Sequence, residues 1–362
     1  MSRRLMEGSE AIAEAMVAAG CRFFTGYPMT PFTEVLEGMA RLLPTVGGVC
    51  INAESELEAV GMAWGAAAGG VRAATGSVGQ GLSLMQESLS EACNARIPLV
   101  VLNMARGQGD YFQATRGGGH GDYRHIVMAP ADIPEAIRIV QLAFHLADQW
   151  RNPVTVFGDY YLAHVQEAVD PSPIDFGSLP SKDWALDGST SGSGAARILS
   201  PLTAAKRNTD HPVSYGDHLA RMGDRMKVME KGVEPLVETG HTDGAELIVV
   251  AYGTPGRYVR YVVSRMRERG VPVGYVRPIT LWPFPTEAVA AAAEGARAVV
   301  VYELNTGQMF DDVRLSVRTV PVWFIGGISY DSSGFGIAPD LGVSVLTARI
   351  ERALEDARRE TA

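Results

Sequence analysis

Cysteine is scarce in this chain: Cys21, Cys50 and Cys93 are its three thiols, far apart and without a CxxC pair. Such isolated thiols hold neither an iron–sulfur cluster nor a tetrahedral zinc by themselves, and they imply no disulfide framework. Apolar or small neighbours predict that all three are buried and free. Positive charge is also short, with 32 Lys and Arg against 41 Asp and Glu for a net charge of −9. An acidic chain without a Lys/Arg-rich stripe argues against a nucleic-acid partner. No run of about 18 apolar residues is present to cross a bilayer. The opening Met1-Ser2-Arg3-Arg4 leads into a segment carrying Glu7, Glu10 and Glu14 rather than an apolar leader, so a cytoplasmic location without membrane association is expected. The phosphate loop GxxxxGK[ST] is missing. Gly79-Gln80-Gly81 follows a strand, but Leu84 stands where a dinucleotide fingerprint needs a third glycine, and a nicotinamide role is not expected. The run from Gly117 to Tyr123, with His125 beyond, brings only two imidazoles and one carboxylate together, and no metal site is expected there.

What is present is the pattern of a two-domain α/β protein. The chain has 362 residues, 46% of them hydrophobic and 20% charged, enough for two cores. Its 40 glycines gather in short loops, as strand-to-helix turns require. Helical periodicity over Ser9–Ala19, Pro31–Leu43, Ser55–Ala68, Leu82–Arg96 and Ala131–Gln149 alternates with apolar strand runs at Arg22–Gly26, Arg72–Ser77, Pro98–Met104 and Pro153–Gly158. That alternation predicts a doubly wound parallel sheet covered on both faces over residues 1–170. Residues 171–243 are expected to form an irregular arm, rich in Pro, Gly and Ser, then one charged helix over Tyr215–Val237. Met222, Met226 and Met229 on that helix read as ordinary packing. A second α/β domain is expected over 244–362, with strands at Glu246–Tyr252, Val271–Arg277, Ala298–Glu303 and Val320–Ile325.

In the first domain, Gly26-Tyr27-Pro28-Met29-Thr30-Pro31, Glu54-Ser55-Glu56, the turn from Gly76 to Gly81, and Arg106-Gly107-Gln108-Gly109-Asp110-Tyr111 fall where strands of such a sheet end, the usual place for ligands. Singly each is weak, since a carboxylate at a helix start commonly complements the dipole. In this order they resemble the α-subunit of the 2-oxoacid:acceptor (ferredoxin) oxidoreductases, over nearly the whole chain. GYPMTPFTEV is similar to that family's YPITPS segment, and VRPITLWPFP and VVYELNTGQM to its transketolase C-terminal-like domain. QGDYFQATRGGGHGDY is most similar to the 2-oxoisovalerate oxidoreductase branch. Two departures stand out: Ser77-Val78-Gly79-Gln80-Gly81 replaces the family's usual Ser-Gly-Pro-Gly turn, and the loop after Arg106 is shorter than in many relatives.

The resemblance implies that the first domain is the pyrimidine-binding half of a thiamine diphosphate site, bordered by Tyr27, Pro28, Gly79 and Gly81. It implies that one partly buried carboxylate shares a proton with the aminopyrimidine ring, because desolvation brings the affinities of acid and ring together. Glu56 aligns with that acid, and Glu54 is its rival. Thr30 and Arg106 are implied at the substrate carboxylate, hydroxyl and guanidinium being suited to it. Asp110, His120 and Asp122 are expected to shape the loop over the site. The Gly-Asp-Gly…Asn run that holds Mg²⁺ against the diphosphate is not found; Gly158-Asp159-Tyr160 is the nearest match. Mg²⁺, the diphosphate side and 4Fe-4S clusters are therefore expected in partner subunits, β and γ, or β, γ and δ. Coenzyme A is the expected co-substrate and ferredoxin or a similar carrier the electron acceptor. Two rivals remain: the β-subunit of a lipoamide-linked oxoacid dehydrogenase, which a lipoyl-domain partner would mark, and a non-catalytic scaffold paralogue.

Overall fold

The computed structural model describes residues 3–186, 215–327 and 341–360. The chain enters through a short strand, β1 (Arg4–Glu7), and α1 (Gly8–Ala18). It then lays down β2 (Phe23–Gly26), α2 (Thr33–Leu42), β3 (Val49–Asn52), α3 (Glu56–Ala68), β4 (Ala73–Ser77), α4 (Gly79–Ala95) and β5 (Leu99–Ala105). After a short α5 (Tyr111–Thr115) come β6 (Ile126–Met128), α6 (Ile133–Trp150), β7 (Val154–Asp159), α7 (Tyr160–His164) and β8 (Gln166–Val169), the last antiparallel to β1. An arm helix, α8 (Tyr215–Gly232), leads to the second unit: β9 (Val237–Gly240), β10 (Leu247–Val250), α9 (Gly253–Glu268), β11 (Val273–Pro278), β12 (Thr280–Trp282), α10 (Thr286–Ala293), β13 (Ala298–Val301), α11 (Met309–Ser316), β14 (Val322–Phe324) and α12 (Val343–Glu360).

The first sheet has the order β12-β6-β7-β5-β4-β2-β3, the second β14-β13-β10-β11-β9. Among the described residues, neighbouring strands in both sheets run parallel except β12 with β6 and β9 with β11. Every residue of β5 is buried, as a strand covered on both faces requires. One face packs on Ile12 and Met16 of α1, Val35 and Met39 of α2, and Ile137, Val140 and Phe144 of α6. The other packs on Val60 and Ala63 of α3 and Leu82, Met85 and Leu89 of α4, in a core continuous with Ile248, Val250 and Val299 of the second sheet. A third core covers the far face of the second sheet with Val259, Val263 and Met266 of α9 and Leu346, Ile350 and Leu354 of α12. Between the units Arg277 of β11, 4% exposed, makes paired bonds of 2.8 and 2.9 Å to Glu135 of α6 and a 2.6 Å ion pair with Glu238 of β9.

Several boundaries differ from expectation for physical reasons. α4 starts at Gly79 rather than Leu82, so both glycines of the turn lie in its first helical turn. The arm helix ends at Gly232, not Val237: a side chain at Gly232 would lie 2.4 Å from the Trp150 ring, and Pro235 follows before the chain extends into β9. Met222, Met226 and Met229 are buried, the last two in the first core. Arg225, beside them, donates to the carbonyls of Cys93, Trp150 and Arg151, closing the C-terminal ends of α4 and α6. The three cysteines are free, but Cys50 is half-buried rather than buried. Residues 171–186 carry no helix or strand, and the rest of the expected irregular stretch lies outside the described residues.

Because β2 sits between β3 and β4, the chain reverses its direction across the sheet after β3. A crevice at the carboxyl ends of strands follows from such a reversal. All four sequence segments lie along it, after Gly26, Asn52, Ser77 and Ala105.

Candidate active site

Ser55 caps α3, its hydroxyl accepting from the Glu58 amide, while Glu58 reaches back to the Glu54 amide at 3.1 Å. This variant of the capping box, in which Glu58 reaches the residue before the cap, places the two rival carboxylates differently. Glu54 is exposed, whereas Glu56, the first helical residue, is 5% exposed and turned into the fold. Its Oε1 accepts a 2.9 Å hydrogen bond from Ser77 Oγ at the end of β4. Its Oε2 has no partner among the described residues. Met29 approaches the same hydroxyl, its sulfur 3.8 Å from Ser77 Oγ.

The first turn of α4 forms the floor. A Cβ at Gly81 would stand 2.1 Å from Ser77 Oγ and 2.5 Å from Glu56 Oε1; one at Gly79 would stand 2.2 Å from Asp110 Oδ1. Glycine is thus required at both places by close approach. Two carboxylates, Glu56 and Asp110, therefore meet the amino end of one helix, where partial positive charge favours them. Asp110 is half-buried, and both its oxygens are bonded, Oδ2 by Asn103 Nδ2 at 3.1 Å and Oδ1 by Gln113 Nε2 at 3.2 Å. Burial pushes its carboxyl above the usual range, opposed by those two donors and by Arg106.

Arg106 follows β5 and crosses to the Tyr27–Pro31 segment, where its Nε donates to the Thr30 carbonyl at 3.0 Å. The structure therefore brings Arg106 and Thr30 together through the Thr30 main chain. The Thr30 hydroxyl and both terminal nitrogens of Arg106 keep no partner among the described residues. Tyr27 and Pro28 are exposed on the same segment. His120 and Asp122 lie elsewhere, exposed on a loop against α4, where the His120 amide donates to Glu87 Oε2. Asp159, in the nearest match to a Mg²⁺ run, is spent inside the fold: it accepts from the Leu162 amide and the Thr254 hydroxyl, each at 2.9 Å. Ser77 is the residue that sequence reasoning passed over as a contact of Glu56; a serine closing a buried strand just before a glycine-bearing helix was its only signal.

Two family models match. Residues 14–231 match the thiamine-diphosphate-binding model of pyruvate flavodoxin/ferredoxin oxidoreductases, and residues 245–332 match core domain II of pyruvate:ferredoxin oxidoreductase. The chain is 34% identical over 326 residues to the ketoisovalerate oxidoreductase subunit VorB of Methanothermobacter thermautotrophicus, covering 87% of this chain and 90% of that protein. It is 35% identical over 339 residues to the 2-oxoglutarate synthase subunit KorA of Methanothermobacter marburgensis, covering 85% and 90%. Among solved structures, it superposes with a TM-score of 0.80 on the 2-oxoglutarate:ferredoxin oxidoreductase from Magnetococcus marinus, at 24% identity, over 98% of this chain and 65% of that one. A split-gene transketolase, at 16% identity and a TM-score of 0.57, shares the fold over 97% of this chain. Matched over more than half its length by a thiamine-diphosphate-binding model and over most of it by named subunits, the chain belongs to the pyruvate flavodoxin/ferredoxin oxidoreductase family of 2-oxoacid oxidoreductases.

Proposed function

We propose that this chain is the pyrimidine-side subunit of a heteromeric 2-oxoacid oxidoreductase. The reaction converts a 2-oxoacid and coenzyme A to acyl-CoA and CO₂, releasing one proton and two electrons to a ferredoxin-type acceptor through iron–sulfur clusters of partner subunits. The observation that carries the reading is the Glu56 carboxylate, buried at the switch crevice with Oε1 held by Ser77 and Oε2 without a partner among the described residues. An acid so placed fits the ring nitrogen of an aminopyrimidine. Bound thiamine diphosphate supplies the nucleophilic carbon and the electron sink for decarboxylation.

The chain's own groups divide the remaining work. Glu56 holds a proton in common with the cofactor ring, and Ser77 fixes the oxygen that is not engaged. Gly79 and Gly81 leave the floor free of side chains, and Tyr27 and Pro28 border the cofactor. Arg106 pairs with the substrate carboxylate through its two terminal nitrogens, which have no partner among the described residues, a bidentate contact suited to guanidinium. The Thr30 hydroxyl donates beside it. Asp110 holds the loop that carries Arg106, while His120 and Asp122 take no chemical part.

The diphosphate side and Mg²⁺ come from another chain. Next to Glu56, α3 presents Leu57, 53% exposed, and Gly61 and Gly65, where an added Cβ would meet nothing. Leu84 of α4, 48% exposed, continues this face, as an uncovered contact for the complementary subunit requires. Identity to subunits named for a branched-chain and for a dicarboxylic oxoacid is nearly equal. We assign the substrate class as 2-oxoacid, the 2-oxoisovalerate type first. In the complex reconstituted with its partners, Glu56→Gln is expected to lower dye-linked turnover by roughly 10²–10⁴-fold while thiamine diphosphate stays bound. Glu54→Gln is expected to leave turnover unchanged. Wild-type turnover in Glu56→Gln overturns the assignment.

A further inference from the structure

The loop that carries Arg106 leaves the first sheet but is held by the second. Gln108, two residues on, is 2% exposed. Its side-chain Nε2 donates, at 3.1 Å, to the carbonyl of Tyr252, which lies two residues past β10 and caps α9, and its Oε1 accepts from the Leu304 amide beyond β13 at 2.8 Å. Its main-chain carbonyl accepts from Asn305 Nδ2 at 2.9 Å, and its amide donates to the Leu304 carbonyl at 3.4 Å. The polar groups of this buried residue are thus satisfied by the other unit of the chain. Asn305 is itself held by Glu303, whose carboxylate also receives the Met309 and Phe310 amides that open α11. Farther along the loop, Gln308 donates to the Gly109 carbonyl and accepts from the Phe112 amide, both at 2.8 Å.

We propose that Gln108 is a positioning residue for Arg106, through which the second unit, contributing no reacting group, sets where the substrate carboxylate is met. This rests on the assignment of Arg106 above. A short tether makes the coupling effective. Between β5 and Gln108 only Arg106 and Gly107 intervene, and Gly107 adds no side-chain packing. Among the described residues, Arg106 itself has one bond holding it, to the Thr30 carbonyl. Its approach is therefore fixed at two points, one on each side, and the firmer is the amide buried between the units. Removing that amide leaves the Leu304 amide buried without its partner and takes one of two donors from the Tyr252 carbonyl, which keeps the Gly256 amide at 3.2 Å; the unpaired amide drives the loop to rearrange. A reacting partner misplaced by about 1 Å loses roughly 100-fold in rate.

The test is a double-mutant cycle in the reconstituted complex, with Gln108→Leu, Arg106→Ala and the pair, reading KM and kcat for the oxoacid, thiamine diphosphate affinity and melting temperature. We expect Gln108→Leu to lower kcat/KM for the oxoacid by roughly 10- to 100-fold, chiefly through KM, with cofactor affinity retained. In the Arg106→Ala background the same change is expected to have little further effect on KM, because the group it positions is gone. Equal loss in both backgrounds, or a matching loss of cofactor affinity, refutes the proposal and marks Gln108 as a general fold contact. If Arg106→Ala alone leaves KM unchanged, it is the Arg106 assignment that fails. Gln308→Leu, at the more open rim of the same contact, provides the cycle if Gln108→Leu does not fold; additivity with Arg106→Ala there refutes the proposal equally.

Discussion

Replacing Gly81 with alanine would put a methyl carbon 2.1 Å from Ser77 Oγ and 2.5 Å from Glu56 Oε1. The backbone at Gly81 is helical, so alanine meets no conformational strain, and helix propensity favours it by about 0.5–1 kcal/mol. The collision must be relieved by the side chains. To reach ordinary van der Waals separation, the Ser77 hydroxyl and the Glu56 carboxylate must each retreat by about 1 Å, and overpacking of this kind costs roughly 1–3 kcal/mol. The net loss of about 0–2.5 kcal/mol is small against a typical stability of about 5–15 kcal/mol, so the fold survives. Catalysis is expected to suffer far more, since a displacement of about 1 Å at a reacting group costs on the order of 100-fold. The assay is dye-linked turnover of the reconstituted complex with a 2-oxoacid and coenzyme A, beside a urea titration of the same variant. A folded Gly81→Ala protein with wild-type turnover refutes the reasoning, because no proton-sharing carboxylate could tolerate that shift.

Two further predictions concern the scaffold. Arg277→Met leaves Glu135 and Glu238 facing each other without their shared cation, and a loss of about 3–5 kcal/mol in unfolding free energy is expected by urea titration; an unchanged midpoint would show that the ion cluster holds nothing. His125 is buried, and desolvation, with Arg124 next to it, lowers its pKa from 6.5 to about 4. Its folded pKa lies below its unfolded one, so its stability contribution is complete above pH 6.5 and is lost as pH falls toward 4. The span corresponds to on the order of 3 kcal/mol. Stability of the wild-type chain, compared by urea titration between about pH 7 and about pH 4.5, is expected to fall by roughly 2–3 kcal/mol more than that of His125→Leu. Parallel losses in the two proteins would assign the acid sensitivity to other groups.

Strand and helix order was legible because burial on both faces writes itself into runs such as Leu99–Ala105, and the helices show their apolar faces in the periodicity of Ala, Val and Leu. Glycine blurred the start of α4: a poor helix former at Gly79 and Gly81 moves the apparent boundary to Leu82, yet glycine stands there because Asp110 and Glu56 occupy the space of a side chain. β6 and β12, of three residues each, carry too little pattern to read, and β12 belongs to the first sheet although it lies within the second unit. The partition into consecutive domains has no means of showing such an exchange. Similarly, Glu56 was visible at a helix start, but its bond to Ser77 spans 21 residues, and the bonds of Gln108 to Tyr252 and Leu304 span 144 and 196. Contacts between distant segments leave no local period.

The support of the site is therefore unequal, and the inequality has chemical sense. Glu56 and Ser77 are anchored within the first sheet, at a helix start and a strand end whose elements share one continuous core. A proton shared across one hydrogen bond tolerates little displacement, and rigid elements hold such geometry better than loops do. Arg106, proposed at the substrate carboxylate, has no such element under it and sits on a loop slung between two units, so its fork geometry depends on both. Small relative movements of the units would alter how the oxoacid is gripped before they disturbed the proposed acid. Substitutions along the Gln108–Asn305–Glu303 seam should accordingly appear in KM, and those around Ser77 and Gly81 in kcat.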